Sequence, residues 1–389
     1  MDRSTNDCNS HRPTTSSTRE LNLAIICRPF VFHGGLENAT AGLLGEFVRQ
    51  GHEVHLFSTA GQPDIPGMNV HRLRVISTPS LARVVSFAVA AKAAVSRDRF
   101  DVVKSHERTL VQDVYRAGEG CHRAYLDVKA GHLSALRRAA LSANPYHRAL
   151  LSLERRILSP AGTRHIVAIS RLGKAEIQRL YGLPDSRVSV IYNGVDQERF
   201  QPANRGRYRA GMRAALGIEQ NAWVVLFVGS GFERKGLGPL VEGFALVKDR
   251  ESRLVVVAKG DAAPYRALAR RLGIAGRVVW AGVQSDVQRY YAAADAVALP
   301  ALYEPFGNVH LEALASGLPV LASARAGGSE VVSHGRNGWV VQNPEDVGQI
   351  REGLEALRQA GEGWRDVARA AALPFTFEAQ ARFFTDLYR

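Results

Sequence analysis

Short, nearly continuous apolar runs recur along the chain, and most are followed by residues with the three-to-four spacing of an amphipathic helix. Leu21–Cys27 (LNLAIIC), Glu53–Ser58, Val70–Val75 and Asp101–Ser105 read as strands, with helices predicted over Leu36–Gln50 and Leu81–Arg97. Runs this apolar suit parallel strands covered on both faces. Helical segments are expected from there to about Leu158. A strand at His165–Ser170, a helix at Arg171–Tyr181 and a strand at Val188–Tyr192 follow. Strands alternating with helices make an open, doubly wound parallel sheet, so the fold class is α/β.

The pattern then restarts. Gln201–Asn221 is polar and reads as a boundary, after which Trp223–Gly229 (WVVLFVG) is a strong strand. Helices at Leu237–Lys248, Pro264–Leu272, Val287–Ala294 and Asp346–Gln359 alternate with strands at Ser252–Ala258, Val278–Ala281, Ala296–Pro300, Pro319–Ser323 and Gly338–Val341. The expected organisation is a disordered tail (1–20), an N-terminal domain (21–200), a C-terminal domain (201–372) and an aromatic amphipathic helix near the end (373–389) that packs back on the first domain. Two such halves place their strand C-termini around a shared cleft, where sheets of this kind bind ligands.

Composition narrows the class. Three cysteines, Cys8, Cys27 and Cys121, lie far apart, which argues against a disulfide framework or structural zinc. An excess of 50 basic over 37 acidic residues gives +13, implying a polyanionic partner or a membrane surface. No signal peptide or spanning segment is visible, so the protein is expected to be soluble or peripherally attached. Nucleic acid is disfavoured: there is no binding motif, and the basic residues are interleaved with Leu and Tyr. That interleaving is densest over 121–158, where Arg123, Lys129, Arg137, Arg138, Arg148, Arg155 and Arg156 alternate with apolar residues. Such a segment suits an anionic membrane surface, against the plainer reading of a solvated helical face.

The most specific chemistry lies in Glu304-Pro305-Phe306-Gly307-Asn308-Val309-His310-Leu311-Glu312, between a buried strand and a short helix. A helix N-terminus presents unpaired amides to an anionic phosphate, and carboxylates accept strongly from sugar hydroxyls. Gly229-Ser230-Gly231-Phe232-Glu233-Arg234-Lys235-Gly236 fails the dinucleotide spacing. It does set Arg234 and Lys235 at a strand mouth, where they can neutralise a diphosphate. No Asp-x-Asp occurs, so a metal is not expected to be required. His106, ending a strand, points toward the cleft; a lone His is as often structural. Asp113 and Glu119 are candidate acceptor-side acids, and Gly34-Gly35 lets the backbone approach a ligand closely.

Glu304 and Glu312, with seven residues between them, resemble the signature of family-4 retaining glycosyltransferases of the two-domain GT-B fold. Asp101–His106, Ile191–Asp196, Ala313–Val320 and Gly327–Glu330 add to the resemblance, which spans roughly residues 21–389. It implies that Arg234 and Lys235 bind the donor pyrophosphate, Glu312 the ribose and Glu304 the donor sugar. It places Phe306, Gly307, Asn308 and Val309 at the sugar–phosphate, Val283 by the base, and Gly34 and Gly35 near the diphosphate. It gives His106 a donor contact. Lys259-Gly260-Asp261 stands where a Gly-rich turn is common. The segments around Gly229–Gly236 and Asp113–Ala117 look most similar to lipopolysaccharide core glucosyltransferases. That implies glucose from UDP-glucose, a lipid-linked glycan acceptor, and a cytoplasmic location on the inner membrane face. The alternatives are a nucleotide-sugar epimerase or phosphorylase of the same fold and, with less support, a nucleic-acid-binding protein.

Overall fold

A computed structural model describes residues 20–30, 35–360 and 362–389; the expected N-terminal tail and Gly34 lie outside them. The first sheet holds β1 (Asn22–Ile26), β2 (Glu53–Thr59), β3 (Met68–Leu73), β4 (Val102–Ser105), β5 (Val114–Ala117), β6 (His165–Ala168) and β7 (Val188–Val190), in the order 3-2-1-4-5-6-7. The second holds β8 (Val224–Val228), β9 (Arg253–Val257), β10 (Val278–Gly282), β11 (Ala296–Leu299), β12 (Val320–Ser323) and β13 (Gly338–Val341), in the order 10-9-8-11-12-13. All pairings between named strands are parallel. The apolar runs explain this: every residue of β8, β11 and β12 is buried, as strands covered by helices on both faces require.

Each sheet reverses its winding once, between β1 and β4 and between β8 and β11. At such a point the connections leave in opposite directions and open a crevice beyond the strand C-termini. Here the two crevices face each other across one cleft of about 1770 Å³, lined by residues of both halves. His106 follows β4, the Gly229–Gly236 loop follows β8, and the Glu304 loop follows β11.

The C-terminal helix Phe377–Tyr388 crosses back to the first sheet. Phe384 packs edge-on to Phe47, and the buried Lys104 of β4 sets its Nζ 3.3 Å from the Phe384 ring centroid. Burial drives the Lys104 amine well below its usual range. The same helix ties to the interdomain connection through Gln380 Oε1, which accepts from Gly194 N at 3.1 Å.

Two elements depart from the sequence reading. β5 (VYRA) falls inside the stretch expected to be helical, because Arg116 interrupts its apolar pattern; every one of its residues is nevertheless buried. The boundary segment contains the helix Asn204–Ala215. Its inner face is polar, so no apolar stripe betrays it: Arg205, Arg209 and Arg213 all reach Asp295, at 3.3, 2.8 and 2.7 Å.

Candidate active site

Gly229 leaves β8 with φ +122°, and Gly231 follows with φ +82°. A Cβ at Gly229 would stand 2.6 Å from Lys235 Nζ, so only glycine leaves room for the lysine to fold back over the strand end. The loop delivers two cations to one oxygen: Arg234 Nη1 donates to Glu304 Oε2 at 2.9 Å and Lys235 Nζ lies 3.3 Å from it. Arg234 Nη1 also donates to Tyr303 O at 2.9 Å. Burial acts to raise the Glu304 carboxyl, but Lys235 and then Arg234 hold it below its ordinary value. The site is thus partly self-neutralised. An arriving diphosphate would compete with Glu304 for cations already collected there.

Glu304 opens a loop held from both domains. Ser170, which caps the helix Arg171–Tyr181 in the first domain, donates from its hydroxyl to Pro305 O at 2.8 Å. Gly327 N donates to Glu304 O and Gly328 N to Phe306 O. Gly307, at φ +83°, turns the chain into the helix Asn308–Ala315. A Cβ there would meet His310 Nδ1 at 2.8 Å and Glu304 Cγ at 3.0 Å. The start of that helix faces the cleft, which Asn308 and Val309 line, and its positive dipole end points there. One turn on, Glu312 is buried and accepts from the Tyr291 hydroxyl at 2.7 Å. Burial raises its carboxyl; the Tyr291 hydrogen bond, then Arg199 and Lys235, oppose the rise.

On the facing side, His106 lines the cleft with Nε2 buried and unpartnered, and burial pushes its imidazole well below its ordinary value. Beside it Arg116, on β5, is buried and lowered to about 10, chiefly by burial. Its Nη2 donates to Asn193 Oδ1 at 2.6 Å, and Asn193 Nδ2 donates to Asn308 Oδ1 at 2.6 Å. This chain couples the first sheet to the start of the helix Asn308–Ala315. A second network joins Arg28 to Glu107 and Glu119, and Arg108 to Glu119 and Glu154.

Asp113 is a correction. It precedes β5, at the strand end remote from the cleft, and its Oδ2 accepts from Val103 N at 2.9 Å, closing the β4–β5 edge. Reading the preceding segment as helix concealed that polarity. Of the remaining sequence candidates, Glu304, Arg234 and Lys235 are in direct contact, while His106, Val283, Phe306, Gly307, Asn308, Val309 and Glu312 line the same cleft. Gly35 is the first residue of the helix Gly35–Arg49, whose Asn38 and Thr40 reach the cleft. The sequence reading gave no role to Arg28, Glu107, Arg108, Arg116, Asn193 or Tyr291. Arg116 and Asn193 lie in segments that carried the resemblance, and Arg116 also stands out as a lone charge in an otherwise strand-forming run. Among the described residues no cluster of His, Cys, Asp and Glu could hold a metal ion.

Two family descriptions match: Glycosyltransferase Family 4 over residues 33–199 and Glycosyl transferases group 1 over residues 209–371. A D-inositol 3-phosphate glycosyltransferase of Mycobacterium sp. is 32% identical over 345 residues, covering 80% of this chain and 75% of that one. The chain is a GT-B glycosyltransferase of this family. The enzyme is also similar to the lipopolysaccharide glucosyltransferase WaaG of Escherichia coli, 25% identical over 332 residues, covering 84% of this chain and 87% of that one. The WaaG crystal structure superposes with a TM-score of 0.80 at 24% identity, covering 94% of this chain and 99% of that one. Anabaena HepE in complex with UDP-glucose shares the fold at a TM-score of 0.69 and 19% identity, covering 95% and 99%.

The enzyme's histidines carry a pH prediction. Burial lowers His122 and His310 to about 4, so both are neutral at pH 7 when folded. Between about 6.5, the unfolded value, and about 4 the unfolded chain binds protons that the folded one does not, so stability falls as pH falls. Urea midpoints measured from pH 7 to pH 4.5 should decline steadily; a flat profile would contradict the neutral assignment.

Proposed function

We propose that the enzyme transfers a hexose, glucose from UDP-glucose, with retention of configuration, to a hydroxyl of a lipid-linked glycan such as a lipopolysaccharide core. The observation that carries the donor half is the convergence of Arg234 and Lys235 on Glu304, beside the start of the helix Asn308–Ala315. In this reading the cations and helix amides take the diphosphate, Glu304 contacts the sugar and Glu312 the ribose. The diphosphate leaves on the face by which the acceptor arrives: the bond from the sugar's anomeric carbon to the phosphate oxygen breaks, the acceptor oxygen bonds to that carbon, and a diphosphate oxygen takes the acceptor proton. His106 contacts the donor sugar from the facing domain. No metal is needed, because side-chain cations and helix amides stabilise the leaving charge. Similarity to WaaG and the fold shared with HepE support glucose and UDP.

A thermal-shift panel of UDP-, GDP- and ADP-sugars tests the donor, since a ligand that binds only the folded state raises Tm. UDP-glucose is expected to give the largest shift, and an equal response to all three would overturn the base assignment.

The acceptor half supports a membrane-bound substrate. The helices His122–Gly131 and Pro145–Ile157 line the cleft through His122, Tyr125, Tyr146 and Leu150, the helix Ala135–Ala143 joins them in sequence, and Arg137, Arg138, Arg148, Arg155 and Arg156 are exposed. The helix Ala135–Ala143 buries none of its residues, and Leu136 is 82% exposed. No described helix is long and apolar enough to cross a membrane; in this reading the exposed arginines hold the enzyme on the inner surface of the cytoplasmic membrane. It is expected to float with anionic but not zwitterionic liposomes and to be released as salt rises. Equal recovery with both lipids would end the proposal.

A further inference from the structure

The helix Val287–Ala293 is buried against the donor half of the cleft, and its Tyr291 is among the fully buried side chains. The ring is fixed edge-on to Phe200, with centroids 5.4 Å apart and planes at 82°. That leaves the hydroxyl one acceptor, Glu312 Oε2, at 2.7 Å. The same helix and the loop before it also hold Arg199: its Nε donates to Gln288 Oε1 at 3.2 Å and its Nη2 to Ser285 O at 2.7 Å. Val283, Gln284 and Ser285 of that loop line the cleft beside Glu312 and Arg199. One rigid unit therefore carries the cleft wall near Val283 and fixes the carboxylate.

A carboxylate has about four acceptor positions, and a phenol takes one. With Oε2 held from behind by Tyr291, the free positions of Glu312 are limited to those facing the cleft. A vicinal diol presents two hydroxyl donors on one edge, a pattern a carboxylate accepts only when both its oxygens are fixed in plane. The geometry points to Tyr291 as a positioning residue that locks Glu312 for a cis-diol, making the site selective for ribonucleotide over deoxyribonucleotide donors. This rests on the reading of Glu312 as the ribose contact.

The phenol also favours the ionised carboxylate, against the burial that raises it. Without it, Glu312 would take up a proton at higher pH and present a donor where the sugar hydroxyls also donate. Loss of Tyr291 should therefore weaken nucleotide binding, and do so most at acid pH.

The experiment is calorimetric titration with UDP and 2′-deoxy-UDP, with the ADP and GDP pairs in parallel, from pH 5.5 to 8. The wild type, Tyr291→Phe and Glu312→Gln are compared, with Tm recorded for each. A charge-assisted hydrogen bond lost with the hydroxyl gives the wild type a ribonucleotide preference of about tenfold or more. Tyr291→Phe, keeping the ring packed on Phe200, is expected to reduce that preference to about threefold and to move the acid limb of binding to higher pH. It should raise KM for the donor with kcat nearly unchanged. If Glu312→Gln abolishes the preference while Tyr291→Phe retains it and its acid limb, the inference is overturned and the ribose reading stands. If the wild type shows no preference, both fall. Should Tyr291→Phe not fold, 3-fluorotyrosine at position 291 keeps the ring and makes a stronger donor. It must then move the acid limb to lower pH, and an unmoved limb overturns the inference.

Discussion

Lys235→Ala is expected to lower the rate of sugar transfer by about 10²–10³-fold, the usual loss on removing one donor aimed at developing charge. The lysine is 8% exposed, folds back over a glycine that a Cβ would displace, and shares Glu304 Oε2 with Arg234. Its loss has two effects. In the proposed reaction it removes a cation from the leaving diphosphate, and it leaves a buried carboxylate with one partner in place of two, itself destabilising. The second effect separates experimentally from the first. Glu304→Gln added to Lys235→Ala should restore much of the Tm but none of the turnover. Arg234→Ala should be nearly as damaging, and the double variant less than the product of the singles, because both cations serve one oxygen. Initial rates with UDP-glucose at saturating acceptor would decide the matter. Activity within about threefold of wild type in both single variants would remove the site assignment, since that is far below the effect of one such donor.

Glu154→Ala should destabilise the fold by about 3–5 kcal/mol, the range for breaking one side of a buried ion pair. Glu154 is 2% exposed and collects five hydrogen bonds from three directions. Arg108 Nε and Nη2 donate at 3.2 and 3.0 Å, the amides of His122 and Arg123 at 2.6 and 3.0 Å, and the Tyr181 hydroxyl at 2.5 Å. The helix His122–Gly131 has Cys121 at its N-cap, with no side-chain acceptor, so Glu154 performs that task from another helix. Removing it leaves Arg108 with Glu119 and the Gly120 carbonyl alone, takes the acceptor from the half-buried Tyr181 hydroxyl and frees the helix start. Because His122 and Tyr125 line the cleft, KM for the acceptor should rise with the loss of stability. Urea unfolding monitored by circular dichroism measures the first effect. A change below about 1 kcal/mol, the scale of an exposed pair, would show that the network is dispensable.

Both predictions rest on polar residues that the core encloses, and these were the least legible part of the sequence. Asp113 looked like an acid near a cleft because the strand it precedes was not visible. Val114–Ala117 contains only four residues, one of them a buried arginine. Once that strand is placed, Asp113 falls at its N-terminal end and serves the backbone. The same strand carries Arg116 to Asn193, 77 residues away, and Asn193 to Asn308, another 115 away. No periodicity encodes such a chain, since each link is a single side chain meeting another brought there by the sheet order.

The helix Asn204–Ala215 makes the opposite point. Its arginines read as a solvated boundary, yet Arg213 is fully buried and donates to the carbonyls of Ala293, Glu219, Gln220 and Ala222 besides Asp295. A buried guanidinium with every nitrogen engaged is physically acceptable, but composition alone counts it as surface.

By itself the sequence determined the parallel sheets, because strands covered on both faces must be apolar throughout, and β8, β11 and β12 are. It determined the loops beyond those strands for a similar reason. Gly229 and Gly307 stand where positive φ and close side-chain approach admit only glycine, and Arg234, Lys235, Glu304 and Glu312 occur within a few residues of them. Tertiary structure alone decided what these charges do to one another. Two cations share one oxygen of Glu304, the Tyr291 phenol donates to Glu312, and Arg116 reaches the start of the helix Asn308–Ala315 through Asn193. Those are pairings between buried groups, fixed by which strand ends the winding of the two sheets sets face to face. Apolar patterning specifies that a surface is covered, but not which polar group comes to lie opposite.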